Sequence, residues 1–386
     1  MNILINAVHP AQILDTKNVY LRLKERGHKV LYTARDRQVM ISLLDAFDAD
    51  YQKKKKKGSF LKEAIIMLYG LIRTILAFKP DVIICVGGSL APFAGWLMRK
   101  RTLHWTDSED SRMMSFLSHP WSTKSLASKS YRMGFAFSGF LKNKRILHNS
   151  LFQLAYCGPG YFSPDPAFKQ ELGIEVSTPL YFMRLGNYDS YHDLHVPKPT
   201  SEQLIELCQF LSNQGHLEIS FEGEPPAELA AYQMTQHPST MQQYIYHADL
   251  VFSQGACTAS ESAVLGTPCV FQSHLKWGYI EDEVAAGVLF RSEPDAILDA
   301  CTQHLHRKGD PDFQKKVKHF LQDKEDIVEL TLRIVEDPRF WAIKETIDPT
   351  RPPFSYDLSF DLESRHSGDA SPDQAACPEG SAKNEN

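Results

Sequence analysis

The chain contains no uninterrupted run of about 18 apolar residues, the length a membrane-spanning helix needs, so no such helix is expected. The apolar stretch from Asn2 to Val8 lacks a basic start, which argues against a secretory leader. The seven cysteines (Cys85, Cys157, Cys208, Cys257, Cys269, Cys301 and Cys377) include no C-x-x-C pair and do not alternate with histidine at metal-ligand spacing. They read as reduced thiols of a cytoplasmic protein, several of them buried in strands. No Asp-x-Asp stands where a diphosphate-bound metal would be held. The spellings Asp48-Ala-Asp50 and Asp310-Pro-Asp312 fall in a polar loop and at a helix start. Neither a metal nor a cofactor is therefore expected. No basic stripe interleaved with aromatics marks a nucleic-acid surface, and no internal repeat is present.

A chain of 386 residues usually makes two domains. Its 43% hydrophobic and 23% charged residues are those of a soluble globular protein. The net charge of −5 hides an asymmetry. Residues 1–150 hold 25 Lys and Arg against 11 Asp and Glu, or +14, and the remainder holds 17 against 36, or −19. The first half should attract something anionic.

Strands and helices alternate along the chain. Ile3 to Val8, His28 to Ala34, Asp81 to Val86, Thr102 to Trp105 and Arg145 to Asn149 read as strands. Helices are expected over Ala11 to Arg26, Arg37 to Ala46 and Leu61 to Phe78, with another from about Pro92, while Tyr51 to Lys57 is left open. A second series follows the proline-rich Gly158-Pro-Gly-Tyr-Phe-Ser-Pro-Asp-Pro166. It comprises strand Leu180 to Leu185, helix Glu202 to Asn213, strand His216 to Phe221, helix Ser239 to His247 and strand Leu250 to Ser253. Beyond it come strands Pro268 to Gln272 and Gly287 to Phe290, helices over roughly Pro294 to His306 and Asp312 to Leu321, and a helical pattern from Asp326 to Lys344 broken near Pro338. The expected class is α/β, two doubly wound Rossmann-like domains facing across a cleft. Residues 1–165 would form the first domain and 166–325 the second, with 326–362 able to cross back to the first and 363–386 disordered.

The sharpest stretch is Leu250 to His274. A buried strand is followed by the small-residue loop Gln254-Gly255-Ala256-Cys257, with Thr258 expected to open a helix that stops at Gly266. Free amides at such a helix start suit a diphosphate. Glu261, one turn in, has two readings. It can accept from two ribose hydroxyls, or it can close a capping box with Thr258. His9, at the end of the first strand, suits a general base or an oxyanion partner, or merely bonds a backbone carbonyl. Thr106-Asp-Ser-Glu-Asp110 clusters carboxylates after another strand, with Asp107 and Glu109 the preferred acid–base pair; the alternative is a solvated loop. Gly88 lies in a loop opening a helix. Lys53 to Lys57, five lysines in a row, are either a solvated loop or a contact with an anionic membrane surface.

Certain pieces carry a resemblance: Asn2-Ile-Leu-Ile-Asn-Ala-Val-His-Pro-Ala11, Arg26-Gly-His-Lys-Val30, Thr33-Ala-Arg-Asp36 and Lys79-Pro-Asp81. Further on are Leu154-Ala-Tyr156, Tyr161-Phe-Ser-Pro-Asp-Pro166, Asp189-Ser-Tyr-His-Asp193 and Thr258-Ala-Ser-Glu-Ser-Ala-Val-Leu-Gly-Thr-Pro268. In this order, over about 1–320, they resemble domain of unknown function family three-five-four. That family is similar to glycosyltransferases of the GT-B fold and to non-hydrolysing UDP-N-acetylglucosamine 2-epimerases. The resemblance implies a UDP-sugar site, with Glu261 on the ribose and Gln254 to Thr258 facing the diphosphate. It also implies ligand contact by Asp189, Ser190, His192 and Asp193, with Arg184 as an anion clamp. From the residues alone, His192 and Asp193 equally suit an inter-domain hydrogen-bond pair. The family pattern carries further histidines just after His9, where Gln12 and Leu14 stand here. The implied function is sugar transfer to a lipid-linked or cell-surface polysaccharide acceptor. The alternatives are 2-epimerisation and non-catalytic sugar-nucleotide binding. The epimerases share a Gly-Thr-Arg-Pro-Glu loop after the first strand, where this chain has Ala7-Val-His-Pro-Ala11.

Overall fold

Apolar runs without polar alternation form strands covered on both faces, and the five residues Val82 to Val86 are at most 1% exposed. The computed structural model describes residues 1–36, 38–54, 60–87, 90–106, 109, 118–131, 143–186, 197–223 and 225–360. The sequence-identified Gly88, Asp107, Asp189, Ser190, His192, Asp193, Lys55 to Lys57 and the tail 363–386 lie outside the described residues.

The first seven strands are β1 (Asn2–Ala7), β2 (Lys29–Arg35), β3 (Tyr51–Lys54), β4 (Val82–Val86), β5 (Arg101–Thr106), β6 (Lys124–Ser128) and β7 (Arg145–His148). They form one parallel sheet in the order β3-β2-β1-β4-β5-β6-β7. The others are β8 (Leu180–Leu185), β9 (His216–Phe221), β10 (Leu250–Ser253), β11 (Cys269–Phe271) and β12 (Phe290–Arg291). They form a second parallel sheet, β12-β11-β10-β8-β9. Both are doubly wound. Chain order reverses between β1 and β4 in the first sheet and between β8 and β10 in the second, and such reversals are where open parallel sheets bind ligands.

Tyr51–Lys54, which the sequence left open, is an edge strand. Other expectations are corrected. Lys124–Ser128 and the helix Gly278–Ala285, neither of them expected, are both present. The last strand starts at Phe290 rather than Gly287, because Gly287 takes a left-handed φ of 69° that closes the preceding helix instead.

The segment after the second sheet returns to the first. Helix Ile327–Glu336 packs on helix Pro10–Glu25, where Arg26 reaches Glu329 at 2.6 Å and Glu336 at 2.7 Å. Beyond Pro338 a short helix runs Arg339–Ala342, and Ile347 pairs with Ile146 beside β7. One hydrophobic cluster joins the sheets, holding Ile3 and Ile5 together with Phe182, Val251 and Phe271.

The loops at the carboxyl ends of the strands meet. At Gly278 the approach is closest, since a Cβ built there would lie 1.7 Å from the Ser130 carbonyl oxygen. Gly278→Ala should therefore cost about 3 kcal/mol or more in urea denaturation. Gly309→Ala, with nothing within 4 Å, should change stability by less than about 0.5 kcal/mol. Equal behaviour of the two variants would contradict the tight seam.

Candidate functional site

At the second sheet's reversal, β10 ends in Ser253, whose hydroxyl donates to the Gly255 carbonyl (2.8 Å) and accepts from the Gly255 amide (3.1 Å). Gln254 ties neighbouring strand ends: its Oε1 accepts from the Gly186 amide and its Nε2 donates to Gln272 Oε1, each at 3.2 Å. Gly255 is the N-cap of the helix Ala256–Leu265, and no side chain caps it. Thr258 therefore does not open the helix, as the sequence suggested. Ala256, Cys257 and Thr258 form its first turn, so the helix begins three residues earlier than expected.

The shift removes the capping-box reading of Glu261, which lies inside the helix, 3% exposed. Its Oε1 accepts from the Tyr156 hydroxyl at 2.8 Å and from Gln242 Nε2 at 3.0 Å. Its Oε2 is buried with no partner among the described residues. Burial raises the Glu261 pKa, against the pull of Tyr156, Gln242 and nearby Arg184. Arg184, on β8, donates to Ser220 Oγ (2.8 Å) and Glu222 Oε1 (2.5 Å), so an anion reaching it must share a guanidinium already anchored to β9.

At the first sheet's reversal, His9 is the N-cap of helix Pro10–Glu25, and its Nδ1 accepts from the Ala11 amide at 3.3 Å. The Gln12 side chain reciprocates, accepting from the amides of Val8 (2.7 Å) and His9 (3.1 Å). With Nδ1 accepting, a neutral His9 carries its proton on Nε2 and acts as a donor. His9 thus bonds a backbone amide through Nδ1. Gln12 Nε2 also lies 3.1 Å from where a Cβ would stand on Gly87, whose φ is +67°. One side chain therefore lies against both loops of the reversal.

Sequence reasoning missed what lies under the second of these loops. His104, on β5, donates from Nε2 to the Gly87 carbonyl at 2.5 Å. Thr106 Oγ1 stands 3.2 Å from His104 Nδ1 and 3.4 Å from His119 Nε2. The hint in the sequence was a histidine between Leu103 and Trp105 within a strand. Burial pushes the pKa of His104 down to about 4 and that of His119 to about 3.

Between the sheets, Glu109 Oε1 accepts from the Gly278 amide at 2.8 Å, capping a helix of the other domain. Ser130 donates to Asp282 and Ser260 to Glu283, while Ser260 also reaches Gln153 at 3.3 Å. Glu283 is fully buried, and its pKa is pushed up to about 8 by that burial. Among the described residues no group of three or more His, Cys, Asp and Glu stands ready to hold a metal.

No family model matches the chain, and no curated protein does. Solved structures match in fold. The S. aureus MnaA–UDP co-structure superposes with a TM-score of 0.67 at 9% identity, over 90% of this chain and 99% of that one. The UDP-GlcNAc 2-epimerase from Neisseria meningitidis bound to UDP-GlcNAc gives 0.60 at 13%, over 87% and 99%. The glycosyltransferase SnogD from Streptomyces nogalater gives 0.58 at 14%, over 87% and 98%. The architecture is thus GT-B-like, and identities this low speak to fold alone.

The buried histidines set a pH dependence. His104, His119 and also His148, pushed down to about 3 by burial, are neutral when folded, whereas an unfolded histidine binds a proton near pH 6.5. Their contribution is complete above about pH 6.5 and falls as the pH drops toward 4, by up to about 1.4 kcal/mol per pH unit for each. Glu283 acts in the opposite sense. Its contribution is complete below its unfolded value of 4.5 and is lost as the pH rises through about 8. Urea midpoints should therefore drop between about pH 7 and pH 5, and Glu283→Gln, which removes the opposing slope between about pH 4.5 and pH 8, should make that drop steeper. A flat profile would contradict this balance.

Proposed function

We propose that the carboxyl-end loops of the two sheets bind a UDP-sugar, and that the chain is a GT-B-type transferase acting on a hydroxyl acceptor. The carrying observation is the Glu261 Oε2, a buried carboxylate oxygen with no partner among the described residues, at a helix start without a side-chain cap. Buried polar atoms are rarely left unpaired, and a ribose hydroxyl would satisfy this one. The diphosphate would rest on the first turn, Ala256 to Thr258, with Gln254 and Gly255 beneath it.

In the transfer step the acceptor oxygen attacks the anomeric carbon, the bond from that carbon to the diphosphate breaks, and UDP leaves. The helix amides, together with His9 Nε2–H, suit the charge growing on the leaving group. The acceptor proton goes to a carboxylate of the loop after β5, Asp107 or Glu109. The +14 balance of residues 1–150 supports an anionic acceptor such as a lipid-linked phosphate sugar, taken up at the cytoplasmic face of a membrane. Kinship with family three-five-four belongs to this same proposal.

A 2-epimerase is the second reading, supported by the superposition of the Neisseria meningitidis UDP-GlcNAc 2-epimerase, slightly higher than that of SnogD. Incubation with UDP-N-acetylglucosamine in heavy water separates the two. Epimerisation removes and replaces the C2 proton and so deposits deuterium there; transfer leaves C2 unlabelled.

The primary test is calorimetric titration with UDP and UDP-N-acetylglucosamine, with GDP and TDP as controls. The uridine compounds should bind, and Glu261→Gln should weaken them by about tenfold or more with little change in thermal midpoint. The amide keeps an oxygen for Tyr156 and Gln242. Failure of every nucleotide to bind, or undiminished binding by the variant, would overturn the donor site.

A further inference from the structure

We propose that the outer face of helices Phe60–Phe78 and Ala91–Leu97 docks this chain on an anionic bilayer. Both helices cover the same side of the first sheet, burying Leu71, Ile75, Ala91 and Ala94 against Leu4, Ile83 and Cys85. Their opposite sides should then be polar, and they are not. Ile65, Ile66, Tyr69, Leu76, Trp96 and Leu97 are exposed, six of the nine exposed large hydrophobic residues among those described. Tyr69 is 62% and Trp96 51% exposed. Singly scattered apolar residues need no explanation, but a concentration on two neighbouring helices does.

The cations decide the occupant. A groove of about 730 Å³ beside Trp96 and Trp121 is lined by Arg99, Lys100, Arg101 and Lys144, with no carboxylate. Lys144 is held by the carbonyls of Pro120 (2.7 Å) and Ser122 (3.0 Å), and Arg101 lies over Trp341. Arg99 and Lys100 have no side-chain partner among the described residues, and they remain for an outside anion. A second groove of about 410 Å³, between β3 and helix Phe60–Phe78, is lined by Lys53, Arg73, Ile66 and Tyr69, again without Asp or Glu.

A second copy of the chain meeting this face would set cations against cations, because a two-fold contact uses the same patch twice. Nucleic acid would leave Ile65, Leu76 and Leu97 without a use. Aliphatic and aromatic side chains interspersed with Lys and Arg match an interface of acyl chains under anionic headgroups. No helix among the described residues is long and apolar enough to cross the membrane, so the helices would lie along its surface. This docking does not rest on the donor-site reading.

The test is flotation of the full chain with phosphatidylcholine vesicles, with and without phosphatidylglycerol. It should float with the anionic vesicles at about 0.1 M salt, be released at about 0.5 M, and ignore the neutral ones. The triple variant Ile65→Ser/Tyr69→Ser/Leu97→Ser, and separately Arg99→Glu/Lys100→Glu, should each lower partitioning by about tenfold while thermal midpoint and UDP titration stay as in the parent. The tryptophan emission shift on vesicles should be lost in Trp96→Phe. No flotation with anionic vesicles, flotation undiminished in both variants, or a dimer in light scattering that the triple variant dissolves would each overturn the proposal, the last in favour of a second copy.

Discussion

The hydrogen bond from the Tyr156 hydroxyl to Glu261 is the constraint on which the rest of the site depends. It joins the segment leaving the first sheet to the helix that follows β10, and it does so with a carboxylate that water does not reach. Removing either partner would leave a buried polar atom unsatisfied, at a cost of about 1–3 kcal/mol. The neighbouring contacts share the same seam: Gln153 with Ser260, Glu109 with the Gly278 amide, and Ser130 with Asp282. Each is modest, and together they set the two reversals at a fixed separation. Opening the seam for a ligand means giving up several at once, and the unpartnered Oε2 of Glu261 is the atom that stands to gain from what enters.

Much of this was legible from residues alone, for a physical reason. Strands covered on both faces are largely apolar, so Leu180–Leu185 and Leu250–Ser253 stand where the sequence puts them, and the edge strand His216–Phe221 does so as well despite its polar residues. The misses are cases where tertiary partners replace local signals. β6 reads Lys-Ser-Leu-Ala-Ser, too polar for a central strand. Its Lys124 is nonetheless buried, because the Ile343 carbonyl accepts from its ammonium at 2.5 Å. Helix Gly278–Ala285 has Trp277 at its N-cap and no local capping side chain. The cap is Glu109, from the other domain, and no local pattern can show that.

The site itself was legible in outline and misread in detail. Thr258-Ala-Ser-Glu261 has the spelling of a capping box, yet Gly255, in extended conformation (φ −97°, ψ 128°), starts the helix earlier. That places Glu261 deep enough to meet Tyr156. The sequence singled out His9 but not Gln12, whose approach to Gly87 depends on two loops far apart in sequence. The His104–Thr106–His119 row was invisible for the same reason. Its members come from β5 and the turn before β6, and only the parallel register lays them side by side.

The cleft and the outer helical face are related through that same register. All strands of the first sheet run parallel, so the end of β3, where the lysine run begins, is the end at which His9 and Gly87 emerge from β1 and β4. Helix Phe60–Phe78 then descends from that end toward the start of β4, carrying its exposed apolar side chains along the whole height of the sheet. A chain lying on this face would hold the loops of its first reversal near the headgroups without inserting any of them. On the proposed docking, an amphiphilic acceptor would approach those loops while its apolar part stayed in the bilayer.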